Sequence, residues 1–228
     1  DAAEVIAAKA KELGSPAYKV VQAGAKVLGN NKDGIDFSLE DDYYGDTRFH
    51  IPFIAWYQVM NASLALTTME VLKDRIPVTM EQLQAGIANT RWQGRMETIL
   101  PGVIVDGAHN EDGVRRFVET AERFQKEYPL TLLFSAVNDK DYQDMIHTIC
   151  SRIKFRKVVT TEVGGYREVP SAELAEIFCK EGCKDIGNSD NIEEAFHMAH
   201  EAKGEDGMLF CVGSLYLVGE IKTLLLKK

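Results

Sequence analysis

The sequence gathers its most reactive residue types in one short run, Asp106-Gly-Ala-His-Asn110, directly behind the apolar stretch Val103-Ile-Val105. A carboxylate, an imidazole and a carboxamide at the end of a buried strand sit where open α/β sheets bind ligands, outside the carboxyl ends of the strands. Asn110 is placed to cap the following helix, whose first amides then face the same crevice and attract phosphate. Asp106, Glu111 and Asp112 repel a bare phosphate. A carboxylate here therefore suits a ribose hydroxyl, or a phosphate reached through Mg²⁺. His109 is a candidate donor to a phosphoryl or carboxylate oxygen. The same residue types also make an ordinary helix cap with polar neighbours, and from the residues both readings stand.

Further runs follow the same logic. Arg95, after Gly94 in Arg91-Trp-Gln-Gly-Arg95, is able to grip a phosphate bidentately or to remain a solvated charge. Asn138-Asp-Lys-Asp141 reads as a polar turn in which Asp141 caps a helix, or as a place where Lys140 meets a polyanion. Gly213-Ser214 follows a strand as a turn with a capping serine. His197 and His200 share one helical face, but no third ligand stands at a zinc-motif spacing, so a solvated pair is expected. Cys179 and Cys183 lack the C-x₂-C spacing and are expected to be buried thiols. No G-x-x-x-x-G-K-[ST] loop occurs in the chain.

The elements that must position these groups fall into two textures. The first half predicts a helix from Asp1 to Leu13 stopped by Gly14-Ser-Pro16, a β-rich stretch from Tyr18 to Leu28, and a turn at Asn30-Asn-Lys-Asp-Gly34. Strands at Ile35 to Leu39 and Thr47 to Phe53 complete a small antiparallel meander. A helix from Ile54 to Leu72 and a short one from Met80 to Ala88, capped by Thr79 with Gln82 in a capping-box position, close this part. After about Asn89 to Gln93 strands and helices alternate. Strands are expected at 102–105, 130–136, 157–161 and 208–212. Helices are expected at 111–128, 142–153, 171–179 (capped by Ser171), 192–203 and 215–226. Such alternation implies an α/β fold with a Rossmann-like, mostly parallel sheet between helices.

Composition narrows the function classes. With 26 Lys plus Arg against 35 Asp plus Glu, the formal net charge is −9, which argues against general affinity for nucleic acid. No apolar run has the length of a membrane span. The four cysteines are too few and scattered for a disulfide framework, so a reducing, cytoplasmic setting is expected. The chain opens at Asp1, not Met, which suggests a part of something longer.

Trp92-Gln-Gly-Arg95-Met-Glu97 followed by Val103-Ile-Val-Asp-Gly-Ala-His-Asn110 resembles the W-P-G-R-x-E and D-G-A-H-N motifs of folylpolyglutamate synthases, some of which are also dihydrofolate synthases. These belong to the Mur ligase superfamily of ATP-dependent amide ligases. The resemblance extends to Gln58-Val-Met-Asn61-Ala-Ser-Leu-Ala65, Asp139-Lys-Asp141, Arg167 in its loop, and Gly213-Ser-Leu-Tyr-Leu-Val-Gly-Glu220. Gln93 departs from the family's proline. The resemblance implies that residues 1–90 end the central ATPase domain and that residues 91–228 are the C-terminal Rossmann-like, glutamate ligase domain. The P-loop, the main Mg²⁺ ligands and a carbamylated lysine would lie upstream. It implies a reaction joining L-glutamate to the γ-carboxyl of a folate through an acyl phosphate, within folate and one-carbon metabolism. In that reaction Asn61 and Arg95 contact ATP, Asp106 holds the nucleotide near the ribose, and His109 lies by the reacting phosphate or incoming glutamate. Ser214 helps bind glutamate. The fragment without its upstream partner is expected to be inactive. Two rivals remain: a sibling Mur ligase acting on a cell-wall precursor, and a non-catalytic receiver-like module with Asp106 as phosphoacceptor and Lys140 as its partner. The order of strands argues against the second.

Overall fold

A computed structural model describes residues 2–20, 24–31, 33–165 and 167–226. The chain divides into two compact units, one of residues 1–52 and 56–90, the other of residues 53–55 and 91–228.

The first unit comprises α1 (Ala2–Glu12), β1 (Ala25–Asn31), β2 (Gly34–Leu39), β3 (Phe49–Ile51), α2 (Tyr57–Val71) and α3 (Met80–Ala88). Residues 21–23 of the expected β-rich stretch and Lys32 of the expected turn lie outside the described residues. Asn30 and Asn31 extend the strand instead of turning it, and Asn31 pairs with Gly34 across an antiparallel hairpin. The third strand is shorter than the expected 47–53 and pairs only Ile35, Asp36 and Phe37 with Ile51, His50 and Phe49. Alternation along β2 puts Ile35, Phe37 and Leu39 on the buried face, with the Phe37 and Phe49 rings 5.7 Å apart. Thr79 and Gln82 form the capping box of α3. α1 buries none of its residues.

The second unit comprises β4 (Glu97–Leu100), β5 (Val103–Asp106), α4 (Glu111–Phe124), β6 (Leu130–Phe134), α5 (Tyr142–Arg152), β7 (Phe155–Thr161), α6 (Ser171–Lys180), β8 (Ile186–Ser189), α7 (Ile192–Lys203), β9 (Met208–Val212) and α8 (Leu215–Leu226). The six strands run in the order β4-β5-β9-β6-β7-β8, all pairs parallel except β4 with β5. This is the mostly parallel α/β sheet that the alternation of elements implies. The near-continuous apolar runs of β5, β6 and β9 match strands covered on both faces. Val103, Val105, Leu133, Leu209 and Cys211 share one cluster with Ala195 and Phe196 of α7 and Leu217, Val218 and Ile221 of α8. Their neighbours point the other way: Phe210 meets Phe117 of α4, and Phe134 meets Phe178 of α6, at ring distances of 5.5 and 5.4 Å.

Three local expectations need correction. Ser171 does not cap α6: it is the first helical residue, behind Pro170. The carboxylate of Glu162 accepts from its amide at 3.0 Å instead, and the Ser171 hydroxyl, buried, donates to Asp190 at 2.5 Å. Cys179, in the last turn of α6, is exposed, and Cys183, three residues beyond that helix, is half-buried against Cys150 of α5. The edge strands β4 and β8 were not expected, since neither carries an apolar run of its own. Among the described residues no helix is long and apolar enough to cross a membrane.

Candidate functional site

Three loops leave the sheet side by side. Asp106 of β5 and Phe134 of β6 both stand opposite Val212 of the intervening β9. Gly107, Ser135 and Gly213 therefore begin neighbouring loops at one end of the sheet. The loop after β9 turns sharply: Gly213 has φ 110°, and a Cβ there would lie 2.0 Å from the Ser135 carbonyl oxygen. Only glycine meets both demands.

Asp106 sits beneath this end, 4% exposed. Its Oδ2 accepts from the Met96 amide and its Oδ1 from the Ala108 amide, each at 2.8 Å. Burial pushes its carboxyl up to about 6, against the pull of those two amides and of the nearby Arg95 and His109 charges. One carboxylate thus fastens two loops, its own and the Trp92–Glu97 segment. The fastening carries strain. Met96 has φ 47°, the one non-glycine with positive φ among the described residues, and Asp106 accepts from that residue's amide. Glu97 braces the same segment from the other side: it accepts from the Gly94 amide at 2.8 Å and pairs with Lys222 of α8 at 2.7 Å.

Between these two anchors projects Arg95. Its guanidinium lies 6.0 Å from the Trp92 ring centroid, and it carries no ion pair among the described residues. A guanidinium on a turn held by two carboxylates through the amides on either side of it, with no ion pair of its own among the described residues, is suited to an anionic ligand.

The Nδ1 of His109 is 2.7 Å from the Gly107 carbonyl oxygen. A carbonyl only accepts, so Nδ1 carries the proton. Nε2 then accepts in the neutral ring and donates only as imidazolium. Asn110 caps α4 by accepting from the Gly113 amide at 2.8 Å, as expected. Asp112 in the first turn is paired with Arg115 and Arg116, which relieves part of the negative charge at this helix start.

Ser214 is 2% exposed, and its Oγ accepts from the Tyr216 amide at 3.1 Å, leaving its proton available. The hydroxyl of Ser135 is buried and has no hydrogen-bond partner. In the loop after β6, Asp141 caps α5, and Asp139 lies 3.9 Å from Lys140 and 3.3 Å from Arg167. Arg167 donates onward to the Tyr216 hydroxyl at 2.8 Å, tying the loops after β6 and β7 to the start of α8.

Asn61 belongs to the first unit, on α2, where it donates to the Gln58 Oε1 at 2.7 Å. Gln58 is buried and its Nε2 has no partner. The structure brings Arg95, Asp106, His109 and Ser214 to one end of one sheet. The Met96 turn, the Glu97–Lys222 brace and the Ser135 hydroxyl were not anticipated. The glutamate after Met96 was the only sequence signal for the brace. A receiver-like role for Asp106 fits poorly, because both its oxygens are engaged and little of it meets solvent. Among the described residues no group of three or more His, Cys, Asp or Glu side chains is arranged to hold a metal.

Comparison with known proteins agrees with this architecture. The family described as Mur ligase, glutamate ligase domain, matches residues 94–215. A dihydrofolate synthase/folylpolyglutamate synthase of Bacillus subtilis is 30% identical over 194 residues, covering 82% of this chain and 43% of that protein. Folylpolyglutamate synthase of Mycobacterium tuberculosis, solved with ADP and AMPPCP, superposes with TM-score 0.77 at 22% identity, over 97% of this chain and 52% of that one. The Thermotoga maritima enzyme gives TM-score 0.77 at 24% identity, over 99% and 52%. The chain thus spans about half the length of the relatives it matches. It belongs to the Mur ligase family, as a bearer of the glutamate ligase domain.

Proposed function

We propose that this chain is part of an ATP-dependent amide ligase that adds L-glutamate to the γ-carboxyl of a folate, the activity for which its Bacillus subtilis relative is named. The observation that carries the reading is the corner after β5: Arg95, with no ion pair among the described residues, on a turn clamped by Asp106, beside a His109 of fixed tautomer. On this reading residues 1–90 close the central ATPase domain, residues 91–228 form the glutamate ligase domain, and an upstream P-loop domain of the same protein completes the nucleotide site. The free thiols fit a reducing, cytoplasmic setting.

The residues present suit the phosphates of ATP, through Arg95, but among the described residues no ligand set for Mg²⁺ is arranged, and on this reading the metal would be held from upstream. The bound nucleotide supplies the phosphoryl group that activates the folate carboxylate. Arg95 neutralises charge on it, and because its turn is fixed beforehand, little reorganisation is needed. Neutral His109 presents Nε2 as an acceptor for a proton of the incoming glutamate amine; as imidazolium it donates to an anionic oxygen. The Ser214 proton is available to a glutamate carboxylate. Asn61 is a further candidate for the nucleotide, on the family resemblance alone. Asp106 serves chiefly as the clamp, which refines its role at the ribose.

The test is ADP release by the protein with its upstream P-loop domain, supplied with tetrahydrofolate, glutamate and MgATP. Arg95→Ala and His109→Ala should each lower kcat by about 10²–10³-fold, the usual loss for a group aimed at developing charge or a moving proton. Turnover independent of folate, or unchanged in both variants, sinks the proposal.

A further inference from the structure

A pair of thiols lies away from the loops that build the site. Cys150 is in the last turns of α5 and Cys183 follows α6, yet across 33 residues of chain their Sγ atoms stand 3.7 Å apart. A disulfide requires about 2.05 Å between sulfurs, so the closure needed is about 1.7 Å. Both residues are half-buried, which leaves a path for a small reagent. Neighbouring contacts hold the two segments beside each other: Tyr142 donates to Glu173 at 2.7 Å, and His147 Nδ1 lies 2.9 Å from Glu181. The two sulfurs are also unequal. Either thiol can donate in the bond they share; with the proton on Cys150 that bond draws Cys183 below the ordinary thiol range, while the bond and burial push Cys150 up, and Glu181 opposes ionisation of both. Among the described residues no third ligand joins them in a metal-holding group.

We propose that Cys150 and Cys183 form a thiol–disulfide exchange site whose co-substrate is a low-molecular-weight disulfide of the glutathione class. The Cys183 thiolate attacks one sulfur of the small disulfide, forming a mixed disulfide and releasing one small thiolate. The Cys150 sulfur, losing its proton to that thiolate, then attacks Cys183 and releases the second small thiolate, which takes up the proton Cys183 had lost. Two protein thiols are oxidised to one disulfide, and one small disulfide is reduced to two thiols. The new bond staples the end of α5 to the segment leading into β8. This inference does not depend on the ligase reading.

The test uses the folded, reduced chain equilibrated with glutathione disulfide, then alkylated and cut with trypsin. Lys180 separates the three relevant thiols cleanly: Cys150 falls in residues 141–152, Cys179 in 168–180 and Cys183 in 181–184. The expected product is peptide 141–152 joined to 181–184, with exposed Cys179 left as a glutathione adduct. Cys150→Ser should trap glutathione on Cys183. Closing a loop of this size should raise Tm by about 5–15 °C. Glutathione adducts on Cys150 and Cys183 with no linked peptide in the wild-type chain would overturn the proposal. So would a link through Cys179, or a Cys150–Cys183 link that forms only in urea.

Discussion

At the scale of the residue, Asp106 combines two demands that pull its ionisation in opposite directions. Two backbone amides favour the carboxylate, and burial disfavours it more strongly, leaving the group at about 6. A carboxyl raised on folding binds its proton more tightly in the folded chain. Its stabilising contribution is therefore full below the unfolded value, near 4, and is lost as pH rises through about 6. Two pKa units correspond to about 3 kcal/mol. Asp106→Asn removes the titration and puts a donor NH₂ against one of the two amide donors. The wild type's advantage in Tm over Asp106→Asn should accordingly be largest near pH 4 and shrink by pH 7; a constant difference across that range would show that Asp106 does not titrate there. The imidazole beside it is held differently. His109→Gln keeps a polar side chain but loses both the fixed tautomer and the proton-accepting Nε2. In the ligase assay kcat should fall about 10²-fold or more with KM for ATP little changed. A change confined to KM would make His109 a binding group only.

At the scale of the element, two glycines differ in what they keep apart. A Cβ at Gly107 would meet the side chain of Leu215, half-exposed and able to swing aside. A Cβ at Gly213 would meet the Ser135 backbone carbonyl, from a left-handed conformation. Gly107→Ala should cost about 1 kcal/mol and be relieved in a Leu215→Ala background. Gly213→Ala should cost about 3 kcal/mol or more, without such rescue. Urea unfolding of the wild type, the three single variants and the Gly107→Ala/Leu215→Ala double variant checks this, and equal costs for the two alanines would contradict the packing described. The same contrast explains what the sequence makes legible. The apolar runs of β5, β6 and β9 and the Asn110, Asp141 and Thr79 caps are local patterns, and the structure contains them. β4 and β8 are not legible, because Ile186-Gly-Asn-Ser189 is polar and Glu97–Leu100 is only half-buried. Ser171 looks like a cap by type, yet a carboxylate nine residues upstream takes the role. The Met96 turn, the Glu97–Lys222 brace and the Cys150–Cys183 pair join residues distant in the chain or rest on one dihedral angle, and no periodicity encodes them. His109 and Ser214 are marked by residue type in loops behind strands and Arg95 by its place after Gly94, and topology makes these loops neighbours.

At the scale of the molecule, burial is unevenly distributed, and opening should follow it. In the second unit β9 lies between β5 and β6, with helices over both faces, and Leu209, Phe210, Cys211 and Val212 are wholly buried. Its amides can exchange only when the sheet opens, so they should report the largest opening free energy in the chain. α1 is the opposite case. It is 11 residues long, rich in alanine, and buries none of its side chains. With no buried side chain the helix draws little on tertiary packing, and an isolated helix of that length is marginal in water. The Lys9–Glu12 pair, with both side chains largely exposed, adds little. Hydrogen exchange followed by mass spectrometry should therefore find α1 within about tenfold of unstructured rates, while β5, β6 and β9 stay protected longest. Protection of α1 comparable to that of β5 would mean that another surface covers Val5, Ile6 and Leu13 in solution. Those side chains are exposed here.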